Sequence, residues 1–458
     1  MERALLSHRR DRAHRRARAA YGASGDDMLS VRLHGRPSTR RSHHVTVDWP
    51  RNLDCPAGTD VRGFLARAAE GDVEGAWRRI RERNPLPGIC GRVCYHPCEK
   101  HCHREALEAP AEVHHVERAV AEEAARRRFA PEPAPTVIPP RLVAIVGSGP
   151  AGLSCAFHLA RRGYGVTVFD AMPRPGGMLR YGIPAYRLPR EVLDGEIALL
   201  HQMGVNFVCS TRIGPEIGAL GSFDAVFLAL GLWRSTPLGI PGDHLPGVRS
   251  GLSFLREVNA GGVPPVPGPV LVVGGGNTAV GAARSALRLG ARPTIVYRRA
   301  RADMPAHPDE VAQAEAEGIP MICHTVPLEV RGQHGRVSAL VVQRTRPGAP
   351  DATGRPRPEP VPGDTAILPA ALVLSAVGGG IDRTAVDGLL EVHDGRLLAD
   401  PCGRTGVKAV FAGGSAVTGA GTVVEAIASG TRAAQAIAGY LKGLGPVPRH
   451  LSRPRVHA

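Results

Sequence analysis

Aromatic residues make up only 4% of the 458-residue chain, beside 56 Gly. Such a composition argues against a core of large rings and suits strand–helix units packed closely through tight turns. No apolar run approaches the roughly 18 residues that a membrane-spanning helix needs, so a soluble chain with no membrane partner is expected. No apolar stretch follows the pairs Arg9-Arg10 and Arg15-Arg16, which excludes a secretory signal in residues 1–48. Glu2, Asp11, Asp26 and Asp27 count against a transit peptide. The segment reads as a basic disordered leader or as a start codon placed too early, and the cytoplasm is the default location. The formal charge is +15, from 57 Lys+Arg against 42 Asp+Glu, yet residues 1–44 alone hold 11 Arg against 4 acids. A solvated tail accounts for much of the excess, and no nucleic-acid partner is inferred. No Ser–His–Asp or paired-carboxylate pattern stands out among 19 scattered His, so no catalytic side chain is assigned.

Two glycine-rich turns carry the positive information. Leu142–Val146 is an apolar strand followed by Gly147-Ser148-Gly149-Pro150-Ala151-Gly152 and a helix to about Arg162. In such a turn the first glycine makes the bend and the second lets the backbone approach a pyrophosphate. The third lets helix and strand pack, and the helix N-terminus offers N–H groups to the phosphates. The next strand, Val166–Phe169, ends at Asp170, where a carboxylate accepts hydrogen bonds from ribose hydroxyls and repels a 2′-phosphate. The second turn follows Val270–Val273 and reads Gly274-Gly275-Gly276-Asn277-Thr278-Ala279, with Ala279 in the third place. Its ribose position falls on Tyr297, followed by Arg298 and Arg299. The acid is missing and two guanidiniums replace it, the charge pattern for the 2′-phosphate of NADP(H) rather than NAD(H). Two such sites in one chain imply two nucleotide cofactors facing each other, with hydride passing between them.

These signals predict an α/β fold of two Rossmann-like nucleotide-binding domains, the second inserted in the first, preceded by a small helical domain. The expected boundaries are a leader at 1–48, a helical domain at 49–130, a first nucleotide unit at 141–261, a second at 266–369 and a return to the first at 370–445. Val61 to Asn84 reads as helical, and about Ala111 to Arg128 as a charged helix. Prolines at Pro131–Pro135 and Pro139-Pro140 form a linker, those at Pro264–Pro269 a hinge, and Pro347–Pro362 an exposed loop.

Nine cysteines, five of them in the N-terminal region, argue against a disulfide framework. Cys90, Cys94, Cys98 and Cys102 recur at intervals of four, which one helix stripe would also produce, but Gly91 and Pro97 interrupt any such helix. Grouped thiolates suit zinc or an iron–sulfur cluster, and a redox neighbour favours the latter. Cys155, Cys209, Cys323 and Cys402 read as packing residues.

The chain resembles the small (beta) subunit of glutamate synthase and its relatives, which include the electron-input part of dihydropyrimidine dehydrogenase. The resemblance runs from about Asn52 to Gly443. It rests on Asn84-Pro85-Leu86-Pro87 with Cys90-Gly91-Arg92-Val93-Cys94, on Pro175-Gly176-Gly177-Met178-Leu179-Arg180-Tyr181-Gly182-Ile183-Pro184 with Tyr186-Arg187-Leu188-Pro189, and on Gly239-Ile240-Pro241-Gly242. Tyr297–Arg301 before Met304-Pro305-Ala306, and Gly413-Gly414 before Thr422–Ala426, continue it. The resemblance implies FAD in the first site, NAD(P)H in the second and iron–sulfur clusters in the helical domain. It implies FAD contacts at Gly147, Gly149, Gly152, Asp170, Gly177, Leu179, Arg187, Gly414, Thr422 and Val423. Ser415 stands where the family usually has Asp, and a serine there implies weaker retention of FAD. In the second site the binding residues are Gly274, Gly276, Asn277, Arg298 and Arg299.

Family members usually carry two [4Fe-4S] clusters, one relying on cysteines upstream of Cys55. Residues 1–54 hold no cysteine, so one cluster is expected. The resemblance maps it to Cys55, Cys94 and Cys98, with Cys102 or Glu117 as fourth ligand. Cys102 is the softer donor and is preferred, and Cys90 is left as a bystander. The implied function is oxidation of NADPH, with electrons leaving through FAD and the cluster to a partner such as the glutamate synthase large subunit. An input subunit for another reductase and a non-catalytic flavin-binding redox module are the alternatives.

Overall fold

The computed structural model describes residues 54–100, 102, 109–133, 135, 141–214, 220–262, 266, 268–351 and 354–443. The leader and most of the proline linkers lie outside them. Helices Val61–Ala69, Val73–Arg81, Pro87–Val93, Pro97–Lys100 and Val113–Arg127 make up the N-terminal part. The helical stretch expected from Val61 to Asn84 forms two helices, because Gly71 takes a left-handed φ of 80° and Asp72 starts a new helix. Its Oδ1 accepts from Gly75 N at 2.9 Å, as Asp60 does from Gly63 N at 3.0 Å one helix earlier. Phe64, Trp77, Ile80, Val113, Val120 and Cys98 share one apolar core there.

Strand Leu142–Val146 is the centre of a parallel sheet, with Gly165–Phe169 and Asn206–Val208 on one side and Ala225–Leu228 and Val410–Ala412 on the other. The last strand comes from far along the chain, so the second unit is inserted into the first. That second unit is also a five-stranded parallel sheet, ordered Val248–Ser250, Leu372–Ser375, Pro269–Val273, Arg292–Val296 and Met321–Ile322. Two expected boundaries move as a result. Leu372–Ser375, read as the start of the return, instead pairs with Pro269–Val273 and Val248–Ser250, and Val248–Ser250 leaves the first unit with it. All four residues of Leu372–Ser375 are buried, as a strand with parallel neighbours on both edges requires. The presumed loop at Pro347–Pro362 is mostly strand, the outer half of a pairing between Arg336–Pro350 and Pro356–Pro369. No helix among the described residues is long and apolar enough to cross a membrane.

Helix Pro150–Ala160 and helix Val423–Gly443 lie against each other. Ser154 Oγ donates to Ile427 O at 2.9 Å, and a Cβ on Gly430 would lie 2.1 Å from Ala151 O. The small residues that dilute the aromatics are what permit this approach. Gly430→Val is therefore expected to destabilise the protein by at least about 1–3 kcal/mol, the usual cost of overpacking. Gly439→Ala in the same helix, where a Cβ meets nothing within 4 Å, is expected to be neutral or to gain about 0.5–1 kcal/mol. Urea denaturation followed by circular dichroism measures both.

Candidate functional site

The glycine-rich turns of both sheets open onto one cavity of about 1060 Å³. Strand ends and helix starts meet there because both sheets are parallel. Gly147 has φ 106°, and a Cβ on it would lie 2.4 Å from Ala229 O. Gly274 repeats the arrangement with φ 142° and Ala376 O 2.3 Å from a hypothetical Cβ. Gly149, Gly177 and Gly414 line the same wall, and a Cβ on Gly177 would fall 2.7 Å from Gly149 Cα. Bare backbone thus faces the cavity, as close approach of phosphates demands.

Asp170 lines the cavity and also fastens its floor. Its Oδ2 accepts from Ser148 N at 2.8 Å and from Ser148 Oγ, and its Oδ1 accepts from Met172 N at 2.8 Å. Ser415, Thr422 and Val423 close the cavity on the C-terminal side. Thr422 and Glu425 cap each other: Glu425 Oε2 accepts from Thr422 N at 2.6 Å, and Glu425 N donates to Thr422 Oγ1 at 3.3 Å. The N-terminus of helix Val423–Gly443 therefore faces the cavity with its positive dipole end.

Two expected FAD contacts lie elsewhere. Gly152 is a packing glycine whose Cβ would be 1.9 Å from Gly147 O, and the fully buried Leu179 belongs to the core under the cavity. Neither is among the lining residues.

On the second sheet Gly274, Gly276, Asn277, Arg298 and Arg299 all line the cavity. The two arginines, taken as equivalent in sequence, differ. Arg299 is buried, with its Nε donating to Pro356 O at 2.7 Å and its Nη2 paired with Asp351 at 2.5 Å. Arg298 is exposed at the rim. Arg355 joins them from the hairpin; the sequence around it reads as loop, so nothing there pointed to a site. Tyr95 and Trp233 also line the cavity and were missed, since a lone ring carries no spacing signal.

Arg187 crosses between the units, its Nε 2.6 Å from Glu310 Oε1, while Glu310 Oε2 accepts from the buried Arg284 at 2.6 Å. Removing one member of such a buried network leaves a charge uncompensated. Glu310→Ala is therefore expected to cost about 3–5 kcal/mol in urea denaturation.

A second, smaller cavity is lined by Cys55, Cys90, Cys94, Cys98, His96, His114, Glu117 and Val424. Cys102 is not among them. The turn after helix Pro97–Lys100 sends it towards Ala111, whose N lies 3.5 Å from its Sγ. The preferred fourth ligand is thus not brought to the cavity, whereas Cys90, set aside as a bystander, is. Asn84 holds both remaining donors: its Nδ2 bonds Glu117 Oε1 at 2.8 Å, and its Oδ1 lies 3.7 Å from Cys90 Sγ. Burial pushes the Cys94 thiol up to about 12, the Cys98 thiol higher still, and Glu117 up to about 8. Burial favours the neutral form of each donor, and a set this rich in sulfur fits an iron–sulfur centre. Of the cysteines read as packing residues, Cys155 is buried while Cys402 is exposed, in a turn where Asp400 Oδ1 accepts from its N at 2.8 Å.

Residues 141–430 match the family described as Pyridine nucleotide-disulphide oxidoreductase. Residues 47–129 match Dihydropyrimidine dehydrogenase domain II, 4Fe-4S cluster. The chain is 41% identical over 448 residues to the NADP(+)-dependent formate dehydrogenase subunit beta of Moorella thermoacetica, covering 91% of this chain and 63% of that protein. It is 38% identical to the NADPH-Fe(3+) oxidoreductase subunit beta of Geobacter sulfurreducens, covering 85% of this chain and 63% of that protein. It thus spans under two thirds of both. With the glutamate synthase [NADPH] small chain of Escherichia coli it shares 34% identity, covering 85% of this chain and 88% of the other. Mycobacterium tuberculosis FprA in complex with NADPH shares the fold, with a TM-score of 0.57 at 20% identity over 68% of this chain and 87% of that one. The cofactors are FAD, NADP(H) and a [4Fe-4S] cluster, and the chain belongs to the glutamate synthase small-chain family of FAD- and NAD(P)H-dependent iron–sulfur oxidoreductases.

Proposed function

We propose that this chain is an electron-input subunit, taking reducing equivalents from NADPH in the large cavity and delivering them through the cysteine-lined cavity to a separate redox protein. The observation that carries this reading is the shared wall between the cavities. Val93 and Tyr95 line the large cavity and Cys94, between them, lines the small one. Thr422 and Val423 line the large cavity and Val424 the small one. When bound, the nicotinamide and flavin rings supply hydride transfer and the cluster supplies one-electron steps. The chain's own residues hold and orient. Gly147, Gly149, Gly177 and Gly414 give bare backbone to one dinucleotide, Asp170 fixes its turn, and Thr422 aims a helix N-terminus at the ring end. Gly274, Gly276 and Asn277 receive the second dinucleotide, with Arg298 at the ribose. No side chain needs to act as acid or base, since hydride transfer asks for alignment and exclusion of water.

We assign Cys55, Cys94 and Cys98 to the cluster, with the fourth place taken by Glu117 or Cys90 and not by Cys102. The relatives named for formate dehydrogenase, for Fe(3+) reduction and for glutamate synthase each match 85% or more of this chain and differ in what their names say they serve. Electron input is their common part, and the acceptor is a partner carrying its own centre, whether a glutamate synthase large subunit or a different reductase.

Anaerobic mixing with NADPH is expected to bleach the flavin within seconds; a flavin that stays yellow overturns the reading. Arg298→Glu should raise KM for NADPH by about tenfold or more, the worth of one hydrogen bond to a charged group, and leave KM for NADH nearly unchanged. Arg299 is unsuitable for that test because its reversal also breaks the buried pair with Asp351. Cys94→Ala should remove iron and keep FAD, whereas Cys102→Ala should keep both, as read by iron analysis and the visible spectrum.

A further inference from the structure

We infer that Tyr95 is a positioning residue that couples nucleotide occupancy of the large cavity to the iron–sulfur centre next to it. The inference rests on the two-cavity reading above and deepens it.

Tyr95 occupies both sites at once. Its ring lines the nucleotide cavity, while its chain neighbours Cys94 and His96 line the cysteine cavity. Its hydroxyl accepts from Asn277 Nδ2, and Asn277 is the first residue of the helix that follows the second glycine turn. The other end of that amide is also engaged, since His307 N donates to Asn277 Oδ1 at 3.1 Å. The His307 ring meets Tyr95 edge-on, with centroids 4.6 Å apart at 68°, and lies 6.1 Å from the His96 ring. Tyr95 is thereby held against the nucleotide-binding unit by one hydrogen bond and one ring contact.

On the cysteine side the loop is tight. His96 takes a left-handed φ of 50°, its N donates to Cys94 Sγ at 3.4 Å, and its ring stacks on His114 with centroids 3.7 Å apart. A loop locked this way has little freedom to absorb a shift of Tyr95 without moving Cys94. Tyr95, Gly276 and Asn277 line the same cavity, so a dinucleotide seated on Gly276 and Asn277 would lie beside Tyr95 and beside the amide that bonds it. Any change in that bond is passed, one peptide away, to a thiolate proposed to hold iron. By linkage the effect is reciprocal: if NADP+ shifts the centre's potential, the centre's oxidation state shifts the affinity for NADP+ by the same factor.

The test uses the holoenzyme with full FAD and iron. Tetrahydro-NADP, whose saturated ring can neither take nor give hydride, stands in for NADP+ throughout: its dissociation constant is measured for oxidised and for dithionite-reduced protein, and the midpoint potential of the cluster is titrated with and without it. In the unaltered protein the two constants should differ by about fivefold or more, and a tenfold difference equals a 59 mV shift for a one-electron centre. Tyr95→Phe keeps the ring and removes the hydroxyl; it should retain iron and FAD, bring the two constants together and cancel the potential shift. Tyr95→Leu, which also removes the ring contact with His307, should behave alike. An analogue-induced shift that is absent in the unaltered protein, or undiminished in both variants, overturns the inference. Unaltered protein that holds no iron, or does not bind NADP+, instead defeats the two-cavity reading.

Discussion

Three helix N-termini open on one cavity, at Gly149, Gly276 and Thr422, and the rest of the molecule is arranged around that convergence. Each terminus carries about half a positive charge and unpaired backbone N–H groups. Pointing three at one space is unfavourable unless anions or water satisfy them. The arrangement follows from two parallel sheets whose carboxyl ends face each other, because a parallel strand hands the chain to a helix at that end. On the reading proposed above, dinucleotide phosphates would answer the charge and the unpaired donors at the two glycine turns. The glycines at the turns are the geometric part of the same constraint, since Ala229 O and Ala376 O occupy the places where a Cβ would go.

The N-terminal helical part makes sense only against this frame. Its cysteines do not form a separate module on a tether. The helix Pro87–Val93 and the loop from Cys94 to His96 form part of the wall between the two cavities. Val424, one residue into the C-terminal helix, supplies the opposite side of that wall. Segments far apart in the sequence therefore meet in the wall between the two cavities. The buried Glu310, paired with Arg187 on one side and Arg284 on the other, ties the inserted unit to its host beside the same cavity.

Much of this was legible because it is local. Strand, turn, helix and terminal acid sit within a short window, so Gly147, Gly149 and Asp170 could be read straight from spacing, as could Gly274 and Gly276. What could not be read depends on partners distant in sequence. The run Leu372–Ser375 announces a buried strand but not which sheet receives it, and both sheets needed a fifth strand. Gly152 and Leu179 belong to the same motifs as the lining residues, yet one faces a neighbouring carbonyl and the other the core. Spacing alone gave Cys90 and Cys102 equal standing. Their difference arises after helix Pro97–Lys100, where Cys102 N bonds back to Glu99 O at 3.0 Å and Cys102 Sγ lies 3.5 Å from Ala111 N.

Arg298 and Arg299 show how environment divides a pair that composition treats as one. Both lie in the bend that follows strand Arg292–Val296, one buried and one exposed. Arg299 turns inward, where Asp351 and the Pro356 carbonyl bind it, and it thereby anchors the tip of the hairpin, where Arg355 joins the cavity lining. Arg298 turns outward and keeps its charge exposed at the rim. On the assignment proposed above, discrimination between a ribose hydroxyl and a ribose phosphate would rest on Arg298, while Arg299 fixes the hairpin beside it.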